Sequence, residues 1–214
     1  MNLKDNILKN NRLALAMLIA LAVVVIDQMI KFWVRNNIGD GPNIRVTDWF
    51  FLCFVENNGM AFGLTLGSKL FLSVFRIFDV FGLFYLVYYL DKKNYSLGFV
   101  IGFALIFAGA LGNIIDCVFY AAWFDGGKLL YGKVVDMFYF PLFKSTWPDW
   151  TPWAGHSLVF FRPVFNFADA AITSSVFYII LFKNKELTKL LGGSDNEDDG
   201  SKNNDDANGS DNGK

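Results

Sequence analysis

The chain has 214 residues, 54% of them hydrophobic and 18% aromatic, with a net charge of −1. A mean hydropathy of +0.34 makes it too apolar for an ordinary soluble domain, and no global field points to nucleic acid. A single His leaves most His-based catalysis poorly supplied, and two cysteines are too few for a disulfide framework. Cys53 and Cys117 are expected as small apolar fillers, with a bridge between them the minor alternative.

The first apolar run covers residues 13–34. Its flank of Lys4, Lys9 and Arg12 resembles a signal-peptide n-region, but the run is too long for an h-region and no small-x-small cleavage site follows. It is expected as a retained helix. Residues 40–58 follow as an outer cradle: Ile44, Val46, Trp49, Phe50, Phe51, Phe54 and Val55 suggest short strands or an amphipathic platform. The second run, 70–90, is interrupted by Arg76 and Asp79; the third, 97–116, is uncharged until Asp116. An outer loop, 117–163, contains Phe138, Tyr139, Phe140, Trp147, Trp150 and Trp153. Such aromatics either anchor at headgroup level or form a lid over an amphiphilic substrate. The fourth run is 164–182, and each run is about the 20 residues that cross ~30 Å of hydrocarbon. The tail, 192–214, is mostly Asn, Asp, Gly and Ser and is expected to be disordered and solvated, outside a membrane domain of residues 1–191.

The reading is therefore a mainly α membrane protein of four transmembrane helices with a small extracytoplasmic β-cradle and aromatic loop platform. Four spans put both termini on one side. Lys and Arg occupy 8 of 25 positions in 1–12, 91–96 and 183–189, against 7 of 82 in the two long connections. That asymmetry places the termini in the cytoplasm.

Orientation turns spacing into depth. Asp27 lies ~21 Å up the outward-running first helix, Asp116 ends the outward-running third, and Asp169 lies ~8 Å below the outer end of the fourth. Asp136 follows Val134 and Val135 in the outer connection. All four acids are expected in one layer near the outer face. Acids in a membrane are costly and are functional candidates by default.

Local settings differ. Asp27 and Lys31 are i,i+4 on one helix face, expected as a structural ion pair. Asn113 and Asp116 are i,i+3, as are Asn166 and Asp169, so each amide is expected to orient its own carboxylate. Apolar neighbours should push the Asp136 pKa upward unless a partner intervenes. Arg76 and Asp79, also i,i+3, are expected to neutralise each other as a buried pair, with a substrate contact by Arg76 the minority reading. His156 is expected at the surface, and Thr173, Ser174 and Ser175 against a neighbouring helix.

Two carboxylates in one apolar cleft share a proton, so one can activate water while the other protonates a carbonyl. Hydrolysis then needs neither a metal nor a cofactor. Physical argument leaves open which two of the four acids form the pair. It also leaves two rivals: a proton-coupled membrane transporter, which favours acids spread through the membrane depth, and a non-enzymatic factor holding a lipidated partner.

Five short motifs occur in order: Asp27-Gln28-Met29-Ile30-Lys31, Asn57-Asn58-Gly59-Met60-Ala61-Phe62, Gly109-Ala110-Leu111-Gly112-Asn113-Ile114-Ile115-Asp116, Val134-Val135-Asp136 and Phe165-Asn166-Phe167-Ala168-Asp169. Together they resemble signal peptidase II, the lipoprotein signal peptidase of bacterial inner membranes. The resemblance implies an aspartyl dyad of Asp136 and Asp169. It implies a diacylglyceryl-modified prolipoprotein substrate, cut before the lipidated cysteine, and sensitivity to cyclic peptides such as globomycin. Asn57, Gly59, Asn113, Asp116 and Asn166 would hold the substrate or the dyad, and Asp27 and Lys31 would support the site. A monomer is the simplest expectation. Two departures stand out. Cys117 replaces the arginine that usually follows the motif's last Asp, a loss that Arg76 or Arg162 could meet. The two proposed catalytic acids are also 33 positions apart, more than is usual, the extra residues being the Trp-rich stretch 147–153.

Overall fold

The computed structural model describes residues 11–58, 69–141, 143–146, 150, 152, 154–155, 157–160 and 163–192. Lys4, Lys9, Gly59, Trp147, Trp153, His156, Arg162 and the tail beyond residue 192 lie outside the described residues.

Three helices are long and apolar enough to cross a bilayer. Helix α1 is Arg12–Asn37, α2 is Lys69–Lys92, and α3 is Leu97–Ile115, prolonged by a π-helical segment, Asp116–Tyr120, and one α turn, Ala121–Phe124. A fourth helix, α4, is Phe167–Phe182, and a short α5, Asn184–Leu190, follows it. Helix α4 has 16 residues, or ~24 Å of rise, rather than the full crossing expected from residue 164. The three residues in question form a strand and a cap instead. Continuous apolar sequence serves a buried strand as well as a helix, so composition alone sets no boundary there.

Helix α3 is the axis of the bundle and touches α1, α2 and α4. Its start is capped by Ser96, whose hydroxyl accepts the Phe99 N–H at 3.3 Å. Small residues let its neighbours close in. A Cβ at Gly109 would lie 2.5 Å from the Ala168 carbonyl oxygen, so only glycine admits the start of α4 at this distance. Ala16, Ala20 and Val24 of α1, Val87 and Leu90 of α2, and Phe99, Val100, Ala104 and Ala108 of α3 form the packed interior. In hydrocarbon, such close packing of small side chains replaces the hydrophobic drive as the source of helix association. Phe71, Phe75, Phe78, Phe81 and Tyr85 of α2 are exposed on the outside of the bundle, as a lipid-facing side requires.

Two sheets lie beyond the helices. The larger contains β1 (Ile44–Arg45), β2 (Phe51–Asn57), β3 (Val134–Tyr139) and β6 (Val164–Phe165), in the order β1-β2-β3-β6 and antiparallel throughout. The smaller pairs β4 (Phe143–Thr146) with β5 (Ser157–Phe160). Between β2 and β3, Val55 faces Asp136 and Asn57 faces Val134, after an irregularity between Leu52 and Val55. Strand β6 pairs with the far end of β3, Phe138 facing Phe165. A buried cluster of Val34, Ile38, Tyr120, Val135 and Met137 fastens the sheet to α1 and α3. Phe140 stacks on Phe50 at 4.6 Å and on Phe165 at 5.6 Å, and Trp49, half exposed, stacks beside it.

The π segment decides how the chain returns. Widening the helix by one residue frees the carbonyls of Cys117 and Val118, which accept N–H groups of Gly132 and Leu130 at 2.9 Å each. The returning chain therefore lies against the helix end and feeds directly into β3. A Cβ at Gly132 would overlap the Asp116 carbonyl oxygen at 1.9 Å.

Candidate active site

Asp136 sits in the middle of β3 with only 2% of its surface exposed. Antiparallel pairing makes Asn57 its diagonal neighbour on the same sheet face, and the Asn57 amide donates to Asp136 Oδ2 at 3.0 Å. The other carboxyl oxygen, Oδ1, accepts from Asn166 Nδ2 at 2.7 Å. Asn166 is placed there by β6, which delivers it from the edge of β3 into the start of α4.

Asn166 is also the N-cap of that helix. Its side-chain oxygen accepts the Asp169 N–H at 2.9 Å, and Asp169 returns the favour to the Asn166 N–H at 3.4 Å, which makes a capping box. One asparagine thus holds Asp136 through its amide nitrogen and Asp169 through its cap. The opposite carboxyl oxygen of Asp169 accepts from Asn113 Nδ2 at 2.8 Å.

The remaining acids form the floor. Lys31 is fully buried and bonds Asp27 and Asp116, each at 2.8 Å, and Asn113 Oδ1 at 3.0 Å. Its three protons are then all used. Asp27 further accepts the Ala168 N–H at 2.9 Å, an anion at the N-terminus of α4. Asp116 accepts the Val135 N–H at 3.2 Å, which ties the floor to the strand of Asp136. The four acids placed in one layer by sequence depth are joined in this single network.

Several expectations are corrected. Asn113 does not orient Asp116; it serves Asp169, a partner from another helix. Only Asn166 orients the acid three residues on. Arg76 and Asp79 form no ion pair. Arg76 donates to Cys117 Sγ at 3.1 Å, and Asp79 is exposed. Cys53 and Cys117 are both free and buried, with no bridge. Two further residues, Gln28 and Tyr120, complete the network. Gln28 donates to Asp116 at 2.9 Å and to the Gly112 carbonyl at 3.0 Å, and Tyr120 donates to Gln28 Oε1 at 3.1 Å. The signal for Gln28 was its place beside Asp27 in the first motif; Tyr120 offered none. Gly59 lies outside the described residues. Ser174 and Ser175 line an apolar groove of about 600 Å³ that also receives Gly98, Gly102 and Tyr178, on the side of α4 away from Asp169.

A cleft of about 230 Å³ opens onto both dyad candidates, lined by Asn57, Arg76, Asp79, Asn113, Asp136 and Asp169. Burial raises the Asp136 pKa to about 6; the hydrogen bond from Asn57 opposes this and the nearby charge of Asp169 adds to it. Asp136 and Asp169 line one cleft, and the charge of Asp169 acts on Asp136 across it.

Comparison with known proteins shows the family. Residues 19–184 match the family model described as signal peptidase (SPase) II. The chain belongs to the signal peptidase II family. It is 42% identical over 188 residues to the lipoprotein signal peptidase of Porphyromonas gingivalis, covering 80% of this chain and 83% of that one. It is 38% identical over 184 residues to the lipoprotein signal peptidase of Amoebophilus asiaticus, covering 77% and 75%. A bacterial membrane enzyme solved by the in meso method at 1.9 Å superimposes with a TM-score of 0.58 at 28% identity, over 81% of this chain and 94% of that one. Membership makes the chain an aspartic-type membrane hydrolase of the lipoprotein-processing class.

Proposed function

We propose that the chain removes signal peptides from diacylglyceryl-modified prolipoproteins, cutting before the lipidated cysteine, with Asp136 and Asp169 as its catalytic dyad. The observation that carries this reading is the double grip of Asn166, which holds the carboxyl of Asp136 and caps the helix at Asp169. The raised pKa of Asp136 lets the pair keep one proton to a higher pH than a free aspartate would. Asp169, served by Asn113, is the carboxylate that takes a proton from water. The activated water attacks the scissile carbonyl while Asp136 protonates its oxygen to give a gem-diol; the proton taken up by Asp169 then passes to the leaving amine as Asp136 recovers its own from the diol. No covalent intermediate forms.

All four apolar helices cross the bacterial inner membrane in this reading, α4 with the help of Asn166 and the sheet at its outer end. The residues of 1–191 form the membrane domain, both termini are cytoplasmic, and the site lies near the outer face, where the exposed Trp49 and its aromatic neighbours meet the headgroups. The lipid chains of the substrate stay in the bilayer, which raises local concentration and orients the scissile bond. Globomycin-like cyclic peptides compete for the same cleft, and the protein acts as a monomer. The test uses purified protein in liposomes with a prolipopeptide carrying or lacking the diacylglyceryl group. Cleavage immediately before the cysteine, confined to the lipidated form, supports the reading; equal cleavage of both forms removes it.

A further inference from the structure

We infer that Arg76 is a substrate-binding residue, whose guanidinium holds an uncharged carbonyl oxygen of the lipidated substrate beside the dyad. This rests on the peptidase reading above. Arg76 lies seven residues into α2, ~10 Å from its outer end, where an arginine in hydrocarbon is costly and marks a functional site by default. Among the described residues its one polar contact is Cys117 Sγ at 3.1 Å, and no carboxylate lies within ion-pair reach. A thiol is a weak acceptor, and a guanidinium has five N–H donors in a planar fork, so most of its donors are unused. Arg76 is only half buried, and it lines the same cleft as Asp136 and Asp169.

The cleft's other charges say what this cation binds. Asp79, Asp136 and Asp169 all line it, so a carboxylate or phosphate ligand would meet three acids. A neutral carbonyl accepts from the guanidinium and avoids that repulsion. The lipidated substrate brings two sources of such oxygens: the glyceryl ester groups, and the peptide carbonyls flanking the cut. Cys117, in the π segment that prolongs α3, accepts from one arm of the fork at 3.1 Å.

The experiment compares cleavage kinetics of the wild type, Arg76→Leu and Arg76→Leu/Cys117→Arg in liposomes, with melting temperatures alongside. Two lipopeptides are used, one with ester-linked and one with ether-linked chains. Loss of a charge-assisted hydrogen bond raises KM roughly ten- to a hundredfold in Arg76→Leu, with kcat and melting temperature near wild type. The double variant, which returns a guanidinium from the position now 3.1 Å away, recovers most of that loss. If the ester is the source, the ether substrate has the raised KM with wild type and Arg76→Leu adds nothing; if a peptide carbonyl is the source, the variant acts equally on both. An unchanged KM overturns the inference, as does a fall in kcat and melting temperature alone. If Arg76→Leu does not accumulate, Arg76→Gln carries the same comparison. A wild type that cleaves neither lipopeptide rejects the peptidase reading itself, an outcome distinct from any of these.

Discussion

The Lys31 ammonium donates to Asn113 Oδ1 at 3.0 Å, and this fixes which end of the Asn113 amide faces Asp169. An ammonium has donors only, so the amide oxygen must turn to it and the NH2 group must turn away, onto Asp169 Oδ1 at 2.8 Å. Asn113 Oδ1 also accepts from Asn166 Nδ2 at 3.1 Å, which spends the oxygen fully. A buried charge on α1 thereby sets the polarity of the amides around the dyad.

Lys31→Met leaves Asp27 and Asp116, both fully buried, without their shared cation. Breaking a buried ion group in this way costs about 3–5 kcal/mol. We expect a drop of several degrees or more in melting temperature, measured in detergent or lipid, together with near-complete loss of cleavage. A variant melting as the wild type does would show that Lys31 is dispensable to the bundle.

Asn166→Ser separates the two tasks of that residue. Serine remains a good N-cap and accepts the Asp169 N–H, so the helix start is kept, while loss of the buried amide leaves Asp136 Oδ1 and Asn113 Oδ1 short of a donor at a cost of about 1–3 kcal/mol. It is too short and carries no NH2 to donate to Asp136 as the amide does at 2.7 Å. Turnover should fall at least about tenfold, the cost of leaving one buried acceptor of Asp136 without its donor. Lipopeptide turnover and thermal melting, taken on the same preparation, check both halves.

The pH dependence follows from Asp136. Its folded pKa of about 6 lies above the ordinary carboxyl value, so its protonated form persists to higher pH than that of a free aspartate. Cleavage, which needs one proton on the pair, should decline as pH rises through about 6 and beyond, with the apparent value belonging to the pair. Asp136 taken alone contributes stability fully below the unfolded value near 4, and that contribution is lost as pH rises through about 6. A cleavage rate that stays flat from pH 5 to pH 8 would contradict the assignment.

Gly132→Ala tests the seat of β3. The new methyl would overlap the Asp116 carbonyl oxygen at 1.9 Å, a backbone atom that cannot rotate away. The returning chain must shift, carrying β3 and Asp136 with it. We expect destabilisation of roughly 1–3 kcal/mol and a larger proportional loss of turnover. Gly126→Ala, in open space nearby although at a φ of +63°, serves as a comparison with strain but no overlap.

Much of the site was legible in the chain because its acids stand out against apolar sequence. Asp27, Asp116, Asp136 and Asp169 stand out by that contrast and share one hydrogen-bonded network, and the five motifs carry the family resemblance. What was missed is long-range. Spacing of i,i+3 sees a neighbour on the same helix, so Asn113 was paired with Asp116 and Arg76 with Asp79; the actual partners, Asp169 and Cys117, come from other helices. The start of α4 is not marked in the sequence, because Val164 and Phe165 are as apolar as any helix residue and only pairing with β3 makes them a strand. The π segment, Asp116–Tyr120, leaves no trace in composition, yet it sets the return of the chain to β3.

The most direct test is the cleavage rate of Asp136→Asn and Asp169→Asn, each purified, shown to be folded by thermal melting and assayed on one lipidated prolipopeptide. The account expects both to fall by at least about three orders of magnitude, since neither amide can share or relay the catalytic proton. Turnover within tenfold of the wild type by either folded variant would contradict the dyad.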